Sequence, residues 1–188
     1  MPQGWVALLR GINLGPRNRV AMPALRDVVE SLGHTDVETY IQSGNVVFTA
    51  ADGDEQALAS GLERAIEARL GVRTRVVVLS RRQLARVVRE NPYPDEKNAK
   101  AVHAVFLSEA PAPDLRSAVS AARRLAREKG ARDEARIVGR TLFLHTPDGY
   151  GRSELAATLM RKSRGTAGAA GTARNWATVN KLLALLRG

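Results

Sequence analysis

Apolar and polar positions change period several times along this chain, and each change marks an element. Trp5 to Leu9 is a near-continuous apolar run, too short to span a bilayer and suited to a buried strand. Pro23 suits a first helical position, and Leu25, Val28, Val29 and Leu32 follow at spacings that form one helical face, closed by Gly33. Val37 to Ile41 opens a strand, Ser43-Gly44-Asn45 interrupts it, and Val46 to Phe48 resumes it. The stretch 37–49 reads as a tight hairpin, with a bulged single strand as the alternative. Asp52 and Asp54 precede a helix over 54–70, with Leu58, Leu62, Ile66 and Leu70 as its stripe and Gly71 as its stop. Arg75 to Leu79 is a short β-branched strand.

Residues 1–80 therefore read β-α-β-β-α-β, the ferredoxin-like split pattern. Ser80 and Gln83 fit a capping box ahead of a third helix that buries Leu84, Val87 and Val88 and ends at Asn91-Pro92-Tyr93-Pro94. The polar run Asp95 to Lys100 reads as a linker. Val102 to Leu107 is a strand, and Asp114 starts a helix to Lys129 with Leu115, Val119, Ala122 and Leu125 facing inward. Arg136 to Val138 and Thr141 to His145 form a hairpin turning at Gly139-Arg140. Ser153 caps a helix over 154–162, and Gly165 to Gly171 reads as a mobile Gly/Ala-rich stretch. The last helix carries Trp176, Val179, Leu183 and Leu186 on one stripe. The second half thus reads β-α-β-β-α-α. The expectation is an α+β protein of two ferredoxin-like units, a first over 1–94 with its connecting helix and a second over 101–188, in which a C-terminal helix replaces the last strand.

Composition changes the picture in two places. The chain has 188 residues, 44% hydrophobic and 26% charged, the balance of a globular protein, and no cysteine. Disulfides, thiolate metal sites and a Cys nucleophile are excluded, and a reducing, cytoplasmic setting is expected. No basic n-region of a signal peptide and no membrane-length apolar run is present. The net charge of +10 points to anionic partners, although an arginine-favouring codon bias produces the same number. Aromatic content of 4% argues against recognition of single strands by base stacking.

Five stretches carry a resemblance: V-A-L-L-R-G-I-N-L-G (6–15), T-Y-I-Q-S-G-N-V-V-F (39–48), N-P-Y-P (91–94), P-D-G-Y-G-R-S (147–153) and T-A-R-N-W-A-T-V-N-K-L (172–182). In this order, over nearly the whole chain, they resemble the bacterial family catalogued as domain of unknown function 1697. The resemblance implies an α+β protein of one or two ferredoxin-like units, and implies no established activity, cofactor or partner. Gly165 to Gly171 departs from the pattern by its length ahead of R-N-W.

The candidate chemistry is anion binding. Arg10 to Arg19, R-G-I-N-L-G-P-R-N-R, sets Arg10, Arg17 and Arg19 with Asn13 in a Gly-interrupted loop before a helix, where N–H groups and guanidiniums meet a phosphate. It lacks the G-K-[ST] of a P-loop and the G-x-G-x-x-G of a dinucleotide site. Ser43 and Asn45 add polar groups beside that loop if the two strands pair. Arg152 and Ser153 precede a helix. Arg174, Asn175 and Lys181 mark the start of the last helix, with positions 174, 178 and 181 on one face. From Arg152 to Arg187, seven basic residues (Arg152, Arg161, Lys162, Arg164, Arg174, Lys181, Arg187) stand against Glu154, a local net of +6. For each of these the bland alternative is a turn, a cap or a solvated face. His103 and His145 could meet across paired strands in a metal or acid/base role, although no H-E-x-x-H or G-x-S-x-G is present.

Three functions fit. The first is a cytoplasmic anion- or nucleic-acid-binding module using the 10–19 loop and the basic C-terminal segment. The second is an enzyme on a small phosphorylated or carboxylated metabolite in a cleft between the halves. The third is an interaction protein without chemistry. No cofactor, metal or membrane partner is expected.

Overall fold

The computed structural model describes residues 2–51, 53–165 and 171–186, with the side chains of 163–165 left out. Asp52, the Arg164 and Arg187 side chains and the body of the Gly/Ala-rich stretch, 166–170, lie outside the described residues. What is described is a mixed α+β chain with two four-stranded antiparallel sheets and six helices. It divides into two compact units. One runs to Arg86 and resumes at Lys181, and the other is Val87–Asn180.

The first unit starts with β1 (Gln3–Leu9). Trp5, Ala7 and Leu9 join the core under the helices, while Val6 and Leu8 on the other face are also fully buried. Burial on both faces is why the strand reads as an unbroken apolar run rather than an alternating one. α1 (Met22–Glu30) carries Pro23 in its first turn and buries Leu25, Val28 and Val29. Leu32 does not join that stripe and is 40% exposed, because the helix is capped at Ser31 and the chain turns away. β2 (Thr35–Tyr40) and β3 (Asn45–Ala50) form a hairpin, as the alternation predicts, with Tyr40 opposite Asn45 and a bulge between Thr35 and Glu38. α2 (Glu55–Leu70) is capped by Asp54, whose carboxylate accepts the Gln56 and Ala57 N–H groups at 2.8 and 2.9 Å, and ends at Gly71 with φ +66°. β4 (Val76–Ser80) completes the sheet in the order β2-β3-β1-β4. The capping box ahead of α3 (Arg81–Arg89) is reciprocal: Ser80 N–H donates to Gln83 Oε1 at 2.7 Å and Gln83 N–H to Ser80 Oγ at 3.3 Å. Along α3 Leu84 is buried, whereas Val87 and Val88 are only half-buried.

The second unit repeats these connections. β5 (Val102–Leu107), α4 (Pro113–Glu128), β6 (Glu134–Val138), β7 (Thr141–His145), α5 (Glu154–Gly165) and β8 (Gly171–Asn175) form a sheet of order β6-β7-β5-β8. The expected replacement of the last strand by a helix is therefore overturned. Gly171–Asn175 pairs antiparallel with β5, from Leu107↔Gly171 to His103↔Asn175. The segment G-T-A-R-N has little strand propensity, and its extended form comes from the open edge of β5, a partner about seventy residues away. Only after Asn175 does α6 (Trp176–Leu185) begin, with the Asn175 carboxamide oxygen accepting the Thr178 N–H at 2.9 Å. Two stripe residues are corrected as well. Leu125 on α4 is 49% exposed and Ala126 is buried in its place, because the buried positions run 115, 119, 122 and 126. On α6, Leu182 is buried where Leu183 was expected.

Candidate functional site

The segment between β1 and α1 is built on the hairpin turn between β2 and β3. β1 and β3 pair with Trp5 opposite Phe48 and Ala7 opposite Val46, which carries the end of one strand to the turn before the other. Leu9 N–H donates to Gly44 O at 2.8 Å. Gly44, at φ +79°, lies against the loop so closely that a Cβ would sit 2.7 Å from Ile12 Cδ1 and 2.8 Å from Leu9 Cβ. Buried Ile12 and Val20 anchor the two ends of the loop in the core.

Asn13 ties the rest together. Its carboxamide oxygen accepts the Val20 N–H at 2.9 Å, and its Nδ2 donates to Val20 O at 2.9 Å and to Gln42 O at 2.8 Å. Its backbone N–H donates to Asn18 O at 3.0 Å, so residues 14–17 stand out from a closed ring. Asn13 and Asn18 both hold positive φ, +55° and +56°, which asparagine tolerates better than most residues. Behind them, Thr74 Oγ1 donates to Arg10 O at 2.7 Å, and Arg10 N–H donates to Arg75 O at 2.9 Å. Asn45 is buried, with Nδ2 donating to Tyr40 O and Ser43 Oγ, each at 2.9 Å. Asn13, Ser43 and Asn45 thus direct these groups at the scaffold, and Arg10 is held by its backbone.

What the loop presents to solvent is its tip, residues 14–19. Leu14 is 81% exposed, and Arg17 and Arg19 are exposed with no ion pair among the described residues. Across the Asn13–Gln42 hydrogen bond, Ile41 is 50% exposed and held at φ +50°, a region that β-branched residues avoid. Sequence reasoning missed Ile41 and Leu14 as surface groups. A signal was present: Leu14 sits among Asn13, Gly15 and Pro16, where no apolar stripe exists for it to join.

The C-terminal candidates do not share one face. Arg152 is exposed in a 3-10 turn (Tyr150–Arg152), while Ser153 is buried and its Oγ accepts the Ala156 N–H at 2.9 Å as the cap of α5. Arg174 lies on β8 rather than on a helix with positions 178 and 181. It is 7% exposed, its Nη1 donates to Thr172 Oγ1 at 2.8 Å and Ala173 O at 2.9 Å, and burial pulls its guanidinium down to about 10. Asn175 is the cap of α6, Thr178 is buried, and Lys181 is exposed on α6.

The histidines also separate. His103 lies opposite Leu144 and His145 opposite Val102, so the two rings point to opposite faces of the sheet. His145 Nε2 lies 2.7 Å from Glu96 Oε2, and its ring stacks on Tyr93 at 4.9 Å. That hydrogen bond, followed by the Asn98 N–H donated to the same carboxylate, holds the Glu96 carboxyl below the usual glutamate range. The polar run expected as a linker is therefore pinned. His103 stacks on Tyr150 at 4.1 Å with its Nδ1 buried and unbonded, and burial lowers its pKa from 6.5 to about 4. The unfolded chain takes up this proton first, so stability present above pH about 6.5 is lost as pH falls toward 4. Allowing for partial exposure of the ring, the loss is on the order of 2 kcal/mol. Urea unfolding between pH 4 and 7 is expected to show this slope in the natural chain and a flatter one in His103→Gln.

Among the described residues, no group of three or more His, Asp or Glu side chains is placed to hold a metal ion, and no helix is long and apolar enough to cross a membrane. Fold and tip together define a two-unit α+β protein whose first unit displays a stapled basic loop on a buried sheet. The chain belongs to the family described as a protein of unknown function, DUF1697, whose model matches residues 3–143. That range takes in the 10–19 loop and the Ser43–Asn45 turn and stops short of Arg152, Arg174 and Lys181. Over 100% of both chains it shares its fold with the conserved bacterial protein SP0830 from Streptococcus pneumoniae, with a TM-score of 0.71 and 22% identity. A comparison with curated proteins returns no match.

Proposed function

We propose that the chain is a binding module of two ferredoxin-like units that takes a phosphate-bearing polyanion, duplex nucleic acid above all, on the 14–19 tip. The observation that carries this reading is the condition of Arg17 and Arg19. Some arginines of this chain find carboxylates: Arg73 with Glu67, Arg75 with Glu63, Arg123 and Arg127 with Glu134, and Arg132 with Asp148. Others on helices, such as Arg26, Arg64 and Arg116, are exposed without an ion pair among the described residues, as Arg17 and Arg19 are. What sets Arg17 and Arg19 apart is the loop that carries them, whose backbone is already closed by Asn13. A fixed backbone lowers the ordering entropy of a contact to phosphate, and the +10 net charge adds long-range attraction.

The mode of contact follows from what the sheets lack. Phe48, Phe106 and Phe143 are buried at 2%, 2% and 0% exposure, so none offers a platform on which unpaired bases stack. Contact with a duplex backbone needs no such platform. Neither the cavity of about 420 Å³ beside β2 nor the groove of about 250 Å³ lined by α4 and α5 includes a residue of the tip.

The test is a salt titration of duplex binding by the full chain. Removing Arg17 and Arg19 together is expected to reduce the slope of log K against log salt by about 2, at roughly 0.9 per phosphate contact. Arg64→Ala, an exposed arginine on α2, serves as the control and should leave the slope unchanged. An unaltered slope in the Arg17→Ala/Arg19→Ala variant would sink the reading.

A further inference from the structure

The tip carries more than charge. Four large hydrophobic side chains stand exposed in the described chain, Leu14, Leu32, Ile41 and Leu125, and two of them, Leu14 and Ile41, flank the Asn13–Gln42 hydrogen bond. Burial is not what holds them there: Leu14 is 81% and Ile41 50% exposed. Ile41 also sits at φ +50°, where a β-branched residue is strained and asparagine or glycine is comfortable. An unfavourable backbone conformation that leaves an aliphatic side chain in water gains nothing for the fold. Observed strain of this kind is characteristic of contact sites.

We infer that Leu14 and Ile41 form an apolar wedge that enters an opened base step of duplex nucleic acid while Arg17 and Arg19 hold the flanking phosphates. This rests on the reading of the tip as a polyanion contact and names the feature of the duplex it selects. Three observations favour this occupant. Leu14 is followed within five residues of the same tip by the exposed guanidiniums of Arg17 and Arg19, neither in an ion pair among the described residues, the combination by which side chains such as Leu and Ile unstack a step while Arg lies along the groove. The loop is closed at its base by four hydrogen bonds of Asn13, so the wedge is stiff enough to push on a base stack instead of folding back. No carboxylate ion-pairs with either guanidinium, which leaves the tip electrostatically complementary to phosphate on both sides of the step.

A duplex that is already interrupted needs no unstacking, so the wedge predicts a preference. Binding of the full chain to two duplexes of one sequence, intact and carrying a one-base gap, is measured by fluorescence anisotropy. Natural protein is expected to favour the gapped duplex by about tenfold, the equivalent of about 1.4 kcal/mol against an unstacking penalty of a few kcal/mol per step. Leu14→Ser/Ile41→Asn should abolish that preference, bringing the affinities for gapped and intact duplex to within about twofold of each other. Thermal unfolding of this variant should match or exceed the natural chain, since asparagine relieves the strain at position 41. Arg17→Ala/Arg19→Ala should weaken binding to both duplexes and keep the ratio between them. The wedge is overturned if natural protein shows no preference, or if the Leu14→Ser/Ile41→Asn variant retains it. It is also overturned if that variant loses only an affinity for phosphatidylserine vesicles, which would make the tip a membrane contact. Loss of the preference together with full arginine dependence supports it. Full binding without the arginines instead removes the polyanion reading itself.

Discussion

Replacing Gly44 with alanine is expected to destabilise the first unit by about 3 kcal/mol, a large part of the 5–15 kcal/mol that holds a typical domain. Two separate effects add. Gly44 holds φ +79°, where an L side chain costs roughly 1–2 kcal/mol. The new methyl would also stand 2.7 Å from Ile12 Cδ1 and 2.8 Å from Leu9 Cβ, and overpacking of this kind costs about 1–3 kcal/mol. Leu9 Cβ is tied to its backbone and cannot retreat like the end of a long side chain. Gly11→Ala supplies the control, because Gly11 has φ +68° but no atom within 4 Å of an added Cβ. Urea unfolding should therefore show Gly44→Ala worse than Gly11→Ala by about 2 kcal/mol. Equal losses in the two variants would mean that the turn does not bear on the loop as closely as its geometry states.

Asn13→Ala is expected to have an effect of similar size, about 3 kcal/mol, by a different route. It removes one accepted and two donated hydrogen bonds, each worth about 1 kcal/mol net, and leaves the backbone of buried Val20 without those partners. It also places alanine at φ +55°. Asn13→Asp keeps the shape but puts one carboxylate oxygen where the Nδ2 amide donates to the carbonyls of both Val20 and Gln42, so it should be no milder than alanine. Hydrogen exchange should quicken at the Val20 amide in both variants. Duplex binding should weaken although Arg17 and Arg19 are intact, because the tip is no longer held in one shape before contact. A variant that unfolds like the natural chain would show that Asn13 is not the staple.

The same residue explains how far the site was legible. Arg10 to Arg19 stands out in the sequence as a Gly- and Arg-rich crossover, and the pairing of Trp5–Leu9 with Val46–Phe48 brings it to the Ser43–Asn45 turn as the apolar runs imply. Which polar side chains face solvent was not legible. Asn13 and Asn45 carry the same carboxamide as any surface asparagine, and only the carbonyls of Val20, Gln42 and Tyr40 assign those groups to the scaffold. Arg174 is the sharper case. In the sequence it is one of seven basic residues in a positive stretch, whereas in the fold it is buried beside Thr172.

The chain's own order of residues determined whatever depends on neighbours a few positions apart. The Ser80–Gln83 box, the Asp54 cap, the hairpin over 35–50 and the stripes of α1 and α2 all form across short separations, where side-chain type and spacing settle the geometry. Tertiary structure alone decided the rest. It made a strand of Gly171–Asn175 and turned His103 and His145 apart. Each of these is set by a partner far along the chain, and a residue's period or propensity carries no record of which edge, carbonyl or core will come to meet it.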